Sequence, residues 1–148
     1  LNERAAALKP FGISLGYHNH NMEFAPLPGG TTGWEILMKE TDPSLVNFEL
    51  DLGWTSAAGL DPAVELGKLK GRVKAVHMKD VKATTKTNYV MAQDPTEVGS
   101  GRLQWAKILP AAQAAGVQHF YVEQEPPFAM DRLAAVTKSH GFLSRFVA

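Results

Sequence analysis

Four short apolar runs, Ile13–His18, Val46–Asp51, Val73–His77 and His119–Glu123, are rich in β-branched or aromatic residues, and in the first two apolar and polar positions alternate. In the first, Ile13, Leu15 and Tyr17 share one side, and Ser14, Gly16 and His18 the other. In the second, Val46, Phe48 and Leu50 oppose Asn47, Glu49 and Asp51. A period of two is the signature of a strand. Helix signals lie between the runs. Leu1–Leu8 reads as a helix end closed by Pro10 and Gly12, and Trp34–Glu40 as a short helix after a Pro26–Gly33 loop. Asp61-Pro62 supplies an N-cap and a first helical residue for a helix that ends near Lys70-Gly71. Leu103–Ala115 is predicted helical, kinked or divided at Pro110 and stopped by Gly116. Met130–His140 is the last predicted helix, with Gly141 just past its end. Val81–Gly101 is a long polar connection of the kind that forms an active-site lid. Strands alternating with helices predict an α/β fold, a parallel βα repeat of about four units, with apolar sides toward the helices and polar sides inward.

The four runs end in His18, Asp51, His77 and Glu123. In barrels of this alternation the chemistry sits at the carboxyl ends of the strands. Two imidazoles and two carboxylates gathered there point to one divalent metal ion, Mn²⁺ first, with Mg²⁺, Co²⁺ or Zn²⁺ as alternatives. His20 shares the parity of His18, and both point inward if the strand extends that far. Glu23 follows closely and is placed to reach the same space.

Each residue also has a plainer reading. Asp51 and His77 would serve to cap the next loop, and Glu123 to form an ion pair at a sheet end. His18 and His20 would be hydrogen-bonded structural histidines, and Glu23 a solvated carboxylate. Glu49, one layer below Asp51, reads as a hydrogen-bonding partner. Lys79 either binds an anionic group of a substrate or pairs with Asp80 or a neighbour. Trp54 either walls a pocket or packs. Gly99-Ser100-Gly101 reads as a lid hinge, and His119 and His140 as structural.

Composition narrows the functional classes. The chain has 148 residues, 45% of them hydrophobic, with a formal net charge of zero and no cysteine. That length suits one domain, residues 1–148. Disulfides and thiolate ligands are excluded. Neutral charge gives no electrostatic pull toward nucleic acid. No apolar run approaches the roughly 20 residues that cross a bilayer. The chain starts at Leu1 in helix-like sequence, so it is expected to be a piece of a longer protein. A cytoplasmic location is expected, with any signal peptide lying outside the sequence.

Several motifs occur in order: Tyr17-His18-Asn19-His20, Phe48-Glu49-Leu50-Asp51-Leu52-Gly53-Trp54, Ala58-Gly59-Leu60-Asp61-Pro62, His77-Met78-Lys79-Asp80, Val98-Gly99-Ser100-Gly101 and Val122-Glu123-Gln124. Through them the chain resembles the sugar phosphate isomerases/epimerases, the xylose isomerase-like TIM barrels that also include inosose dehydratases and ketose 3-epimerases. The resemblance implies the C-terminal half of a (β/α)8 barrel and assigns Asp51, His77 and Glu123 as metal ligands; the fourth direction would come from the His18-Asn19-His20 segment, with His18 as the candidate ligand. In the epimerase branch the first ligand is a glutamate, a position that falls in the His18/His20 segment here. Loss of that glutamate sets a symmetric two-glutamate epimerisation aside and leaves Glu123, Glu23 and His20 as candidate acids and bases. His20, Trp54 and Lys79 are candidates for holding substrate.

The implied activity is isomerisation or epimerisation of a sugar or sugar phosphate, by proton transfer through a metal-stabilised enediolate. The same site would also dehydrate a cyclic polyol ketone, as in inosose dehydratases. A third reading is a catalytically incomplete half-barrel that self-associates, because an open parallel sheet leaves two unpaired edges. The expected partners are a small carbohydrate and further copies of the chain, without nucleic acid or membrane. The related DNA-repair endonucleases use a zinc cluster with more histidines, and neutral charge and five dispersed histidines argue against that branch.

Overall fold

The computed structural model describes residues 1–146. Helix α1 (Asn2–Leu8) tightens into a 3₁₀ turn over Lys9–Phe11, and Gly12 ends it in the left-handed conformation at φ 71°. Strand β1 (Leu15–His18) starts two residues later than the alternation predicts and leaves Ile13 exposed. A 3₁₀ turn follows at Met22–Phe24. Helix α2 (Gly33–Glu40) opens with a capping box between Thr32 and Glu35. Strand β2 (Val46–Asp51) has its predicted bounds.

Helix α3 (Leu52–Ala57) was not foreseen. All six of its residues are buried, so no amphipathic period marks it. Asp51 caps it by accepting a hydrogen bond from the Trp54 backbone N–H at 2.8 Å. Helix α4 (Pro62–Lys68) starts at the Asp61 cap as expected. Strand β3 (Val73–Met78) is followed by β4 (Asp80–Val81), which pairs antiparallel with β5 (Pro95–Thr96) inside the long connection. Helix α5 (Trp105–Ala115) passes through Pro110 as one helix and stops at Gly116.

Strand β6 (His119–Val122) ends one residue early, so Glu123 follows the strand rather than closing it. The last helix differs most from expectation. Helix α6 (Arg132–Leu143) begins two residues later than Met130 and runs on through Gly141. A mid-helix glycine costs about 1 kcal/mol. Continuing the helix lays the Phe142 ring against Gly99, so close that a β-carbon at Gly99 would stand 2.3 Å from it. That packing outweighs the stop signal.

The four main strands form one parallel sheet in the order β1-β2-β3-β6. Registration pairs Phe48 with Val73 but Glu49 with Ala75, a bulge in β3 at Lys74. The bulge lets Val73, Val76 and Met78 all enter the core, while His77 and Lys79 stay on the site side. On the apolar face Phe48, Leu50 and Val76 meet Trp34, Leu66 and Ile108 from the helices. Trp34 packs on Phe48 and Phe24 with ring centroids 5.0 and 5.2 Å apart. Both outer edges, β1 and β6, lack a partner strand among the described residues. Among those residues, no helix is long and apolar enough to cross a membrane.

Asp80 ties the end of β3 to the far end of the connection. Its carboxylate is fully buried and accepts from the backbone N–H groups of Val81, Gly99, Gly101 and Leu103 and from the Trp105 indole N–H. A β-carbon on Gly101 would lie 2.1 Å from Asp80 Oδ1, so only glycine lets the backbone approach this closely. Arg102 adds a second clasp, donating from its guanidinium to Ser56 and the Thr85 carbonyl. Removing the Asp80 carboxylate would strand several buried donors, each costing about 1–3 kcal/mol. Asp80→Ala is therefore expected to lower stability by at least about 3 kcal/mol in denaturant titration. Amide exchange at Gly99 and Gly101 should accelerate in the same variant, and an unchanged midpoint would contradict this account.

Candidate metal centre

Strand ends place three side chains together. Parallel pairing sets His18 beside Glu49, Asp51 beside His77, and His77 beside Tyr121. One nitrogen from each of His18 and His77 and one Asp51 oxygen all lie within 4.8 Å of one another. Asp51 Oδ2 stands 3.8 Å from His18 Nε2 and 3.6 Å from His77 Nδ1. Glu49 closes the underside, 3.2 Å from His18 Nδ1 and 3.5 Å from His77 Nε2. It lies near both rings without an aligned hydrogen bond to either.

Glu123 joins at the edge, with Oε2 2.9 Å from His77 Nδ1. His20 lies in the loop beyond β1, yet its ring still reaches His18 (centroids 5.3 Å apart) and Trp54 (5.7 Å). Glu23 turns toward its own loop. One oxygen accepts from the Tyr17 hydroxyl at 2.8 Å and the other from the His20 backbone N–H at 2.9 Å. It thus positions the loop that carries His20.

Lys79 is almost fully buried, with the Trp54 ring 4.9 Å from its ammonium. It donates to Glu125 Oε1 at 2.9 Å and lies 2.8 Å from Glu123 Oε2 and 3.1 Å from Asp51 Oδ2. Three carboxylates surround its ammonium, so the ion-pair reading describes it, with Asp51, Glu123 and Glu125 in place of Asp80. Trp54 is itself buried beneath Lys79 and beside His20. Gly53 makes room for the lysine stem, since a β-carbon there would come 2.6 Å from Lys79 Cγ.

Four supporting positions escaped the sequence reading. Asn19 is buried and accepts the Asp51 backbone N–H at 3.0 Å, which fixes the end of β2 where the β1 ladder has stopped. Asn21 is also buried, and its side chain holds the long connection at Asn88 and Met91. Glu125 and its partner Gln93 complete the far wall. Asparagine and glutamine in loops carry no spacing signal, so only the tertiary contacts reveal them.

Electrostatics follow from the crowding. Burial pushes the Asp51 carboxyl up, but contact with His77, the Lys79 charge and the Trp54 N–H outweigh it and leave it below the usual carboxylate range. The Asp51 contact raises His77 above the ordinary histidine value despite its burial. Burial lowers His18, against the pull of Asp51. Burial opposes the Lys79 charge too, but Asp51, Glu123 and Glu125 prevail and hold it above the usual lysine value.

The donor set fits a divalent ion. Asp51 Oδ2 is buried without a hydrogen bond, because Lys79 stands near it without alignment, and His18 Nδ1 is likewise unpaired. A buried carboxylate oxygen without a hydrogen bond, set between two imidazoles, is a point that could take a cation. Mixed nitrogen and oxygen donors suit Mn²⁺, Co²⁺ or Zn²⁺.

Comparison with known proteins gives one consistent family. Residues 1–145 match the family described as xylose isomerase-like TIM barrel. An inosose dehydratase of Geobacillus thermodenitrificans is 31% identical over 133 residues, covering 80% of this chain and 43% of that protein. One from Clostridium tetani is 37% identical over 84 residues, covering 55% of this chain and 26% of that protein. The chain therefore spans less than half the length of these relatives. A sugar phosphate isomerase/epimerase structure from Parabacteroides distasonis superposes with a TM-score of 0.79 at 31% identity, over 96% of this chain and 48% of that one. A xylose isomerase domain protein from Alicyclobacillus acidocaldarius shares the fold, with a TM-score of 0.69 at 17% identity, over 97% of this chain and 54% of that one.

The lowered Asp51 value makes stability depend on acid. A carboxylate depressed on folding contributes fully above its unfolded pKa, about 3.9, and loses that contribution as pH falls through the lower folded value. The urea midpoint of the metal-free chain should drop on acidification below about pH 4, and Asp51→Asn should flatten that drop. Equal slopes in the two proteins would count against Asp51 as a source of acid sensitivity.

Proposed function

The chain belongs to the xylose isomerase-like TIM-barrel family, and from that premise we propose a metal-dependent isomerase or epimerase of a sugar or sugar phosphate. The observation that carries the reading is the convergence of His18, Asp51 and His77 at the strand ends, with Glu123 beside them. His18, Asp51 and His77 would hold one divalent ion, with Mn²⁺ the first candidate and Glu123 a further ligand or the proton carrier. When bound, the ion would offset the negative charge that develops on a ketone oxygen as the adjacent carbon loses its proton.

The chain's own groups divide the remaining work. Glu123 Oε2 is anchored by Lys79 and His77, which leaves Oε1 to take the proton and return it. His20, backed by Trp54 and with its loop fixed through Glu23, stands beside His18 as a partner for a substrate hydroxyl. Glu23 spends both oxygens on its own loop, which argues for positioning rather than proton transfer. Lys79 holds Asp51, Glu123 and Glu125 around one ammonium.

A second reading has its own support. Curated relatives at 31–37% identity are named inosose dehydratase, and the same proton abstraction followed by loss of a β-hydroxyl gives dehydration of a cyclic polyol ketone. Product analysis separates the two, because a dehydrated, ultraviolet-absorbing product favours the lyase and an isomeric sugar the isomerase.

The first test is calorimetric titration of the metal-stripped chain with Mn²⁺, beside Asp51→Ala and His77→Ala. One site per chain is expected, with affinity reduced at least about tenfold in each variant. Wild-type binding that both variants retain would refute the centre.

We also propose that copies of the chain associate. Among the described residues the β1 and β6 edges are unpaired, and Phe120, Tyr121 and Val122 of β6 are 46%, 51% and 40% exposed. Sedimentation at tens of micromolar is expected to show a dimer or larger species, and a stable monomer would rule this out.

A further inference from the structure

The connection between β4 and β5 is a strap laid across the site's rim. Asn88 knots it, accepting from the backbone of Val90 and Ala92 and donating to the carbonyls of Lys86 and Ala92. The knot docks on Asn21 beyond β1 and on the Ala57 carbonyl at the end of α3. At its far end Gln93 Nε2 donates to Glu125 Oε2 at 2.6 Å. The strap therefore bridges the loops that follow β1, β2 and β6, all at the carboxyl end of the sheet.

Glu125 is placed unusually for a carboxylate with no assigned task. One oxygen is held by Lys79, which also contacts Glu123 and Asp51. The other is held by Gln93 from the strap. Its side chain nevertheless remains 37% exposed, close to the 36% of Glu123, and both carboxylates meet the same Lys79 ammonium. Each anchored oxygen keeps a lone pair for a further donor. A polyhydroxylated substrate presents such donors, and carbohydrate sites are built from a few convergent polar groups of this kind.

Resting on the sugar reading above, we propose that Glu125 determines specificity by accepting a hydrogen bond from a substrate hydroxyl remote from the reacting carbons, and that Gln93 positions it. Lys79 then links two tasks: it anchors Glu123 for the proton and Glu125 for recognition. The ligand class that follows is a ketose or cyclic polyol ketone with a free hydroxyl beyond the reacting pair. A site that hydrogen-bonds a hydroxyl discriminates strongly against the analogue lacking it, because its own polar group is then left unpaired.

The experiment uses the Mn²⁺-loaded chain and reads sugar binding from paramagnetic broadening of sugar protons. The probes are D-fructose, D-tagatose, an inosose and their monodeoxy analogues. Wild type is expected to bind a parent sugar at least about tenfold more tightly than one particular deoxy analogue. Glu125→Ala should abolish that single preference, with Mn²⁺ affinity and the ranking of the other analogues unchanged. A merely structural role would weaken all the probes together and leave the preference in place. Should Glu125→Ala weaken Mn²⁺ binding, Gln93→Ala, which leaves the Lys79 ion pairs intact, carries the test. A reduced preference there supports the role, and an undiminished one overturns it. Wild-type sugar binding with the deoxy preference intact in both variants overturns the Glu125 assignment alone. Absence of sugar binding by the Mn²⁺-loaded wild type overturns the sugar reading and the subsite with it.

Discussion

A single buried ammonium organises this molecule. Lys79 leaves the end of β3 and meets carboxylates from β2 and from the loop after β6, over the face of Trp54. A buried ion of either sign is costly alone, and removing one partner of such a set strands the others. The site's negative charges are tolerable together because Lys79 lies among them. Gly53 exists in its present form for the same reason, since a side chain there would occupy the lysine's path. The next residue turns the other way. Asp80 collects donors from the end of the long connection, so consecutive residues of one strand end hold the site on one side and the strap's return on the other.

The strand ends were legible in the sequence because alternation and chemistry coincide there. Val46, Phe48 and Leu50 mark the helix-facing side of β2 without ambiguity, and the parity they set delivers Asp51 to the opposite face. His18 follows by the same logic, His77 keeps to that face through the bulge at Lys74, and the structure brings all three together. Glu123 lies one residue beyond its strand and reaches the group through His77. The Lys79 reading left its partner open, and Asp80, its neighbour in sequence, turned out to point elsewhere.

Other features were illegible for physical reasons. Helix α3 is buried on every side, so the amphipathic period that identifies a helix is missing. Gly141 read as a stop, and the packing of Phe142 on Gly99, distant in sequence, decided otherwise. Asn19, Asn21, Gln93 and Glu125 act through contacts between loops, which neither periodicity nor motif spacing encodes. The fold is therefore written in local pattern, and much of the site's support is written in tertiary hydrogen bonds.

Asp51 carries one more consequence. Its Oδ1 is committed to the first turn of α3, where it accepts the Trp54 N–H. Oδ2 is the oxygen that lies near the two histidines, so one carboxylate divides itself between a helix cap and the imidazole pair. Any movement in the first turn of α3 would therefore pull on the oxygen between His18 and His77, and the short helix and the strand-end cluster answer to the same side chain.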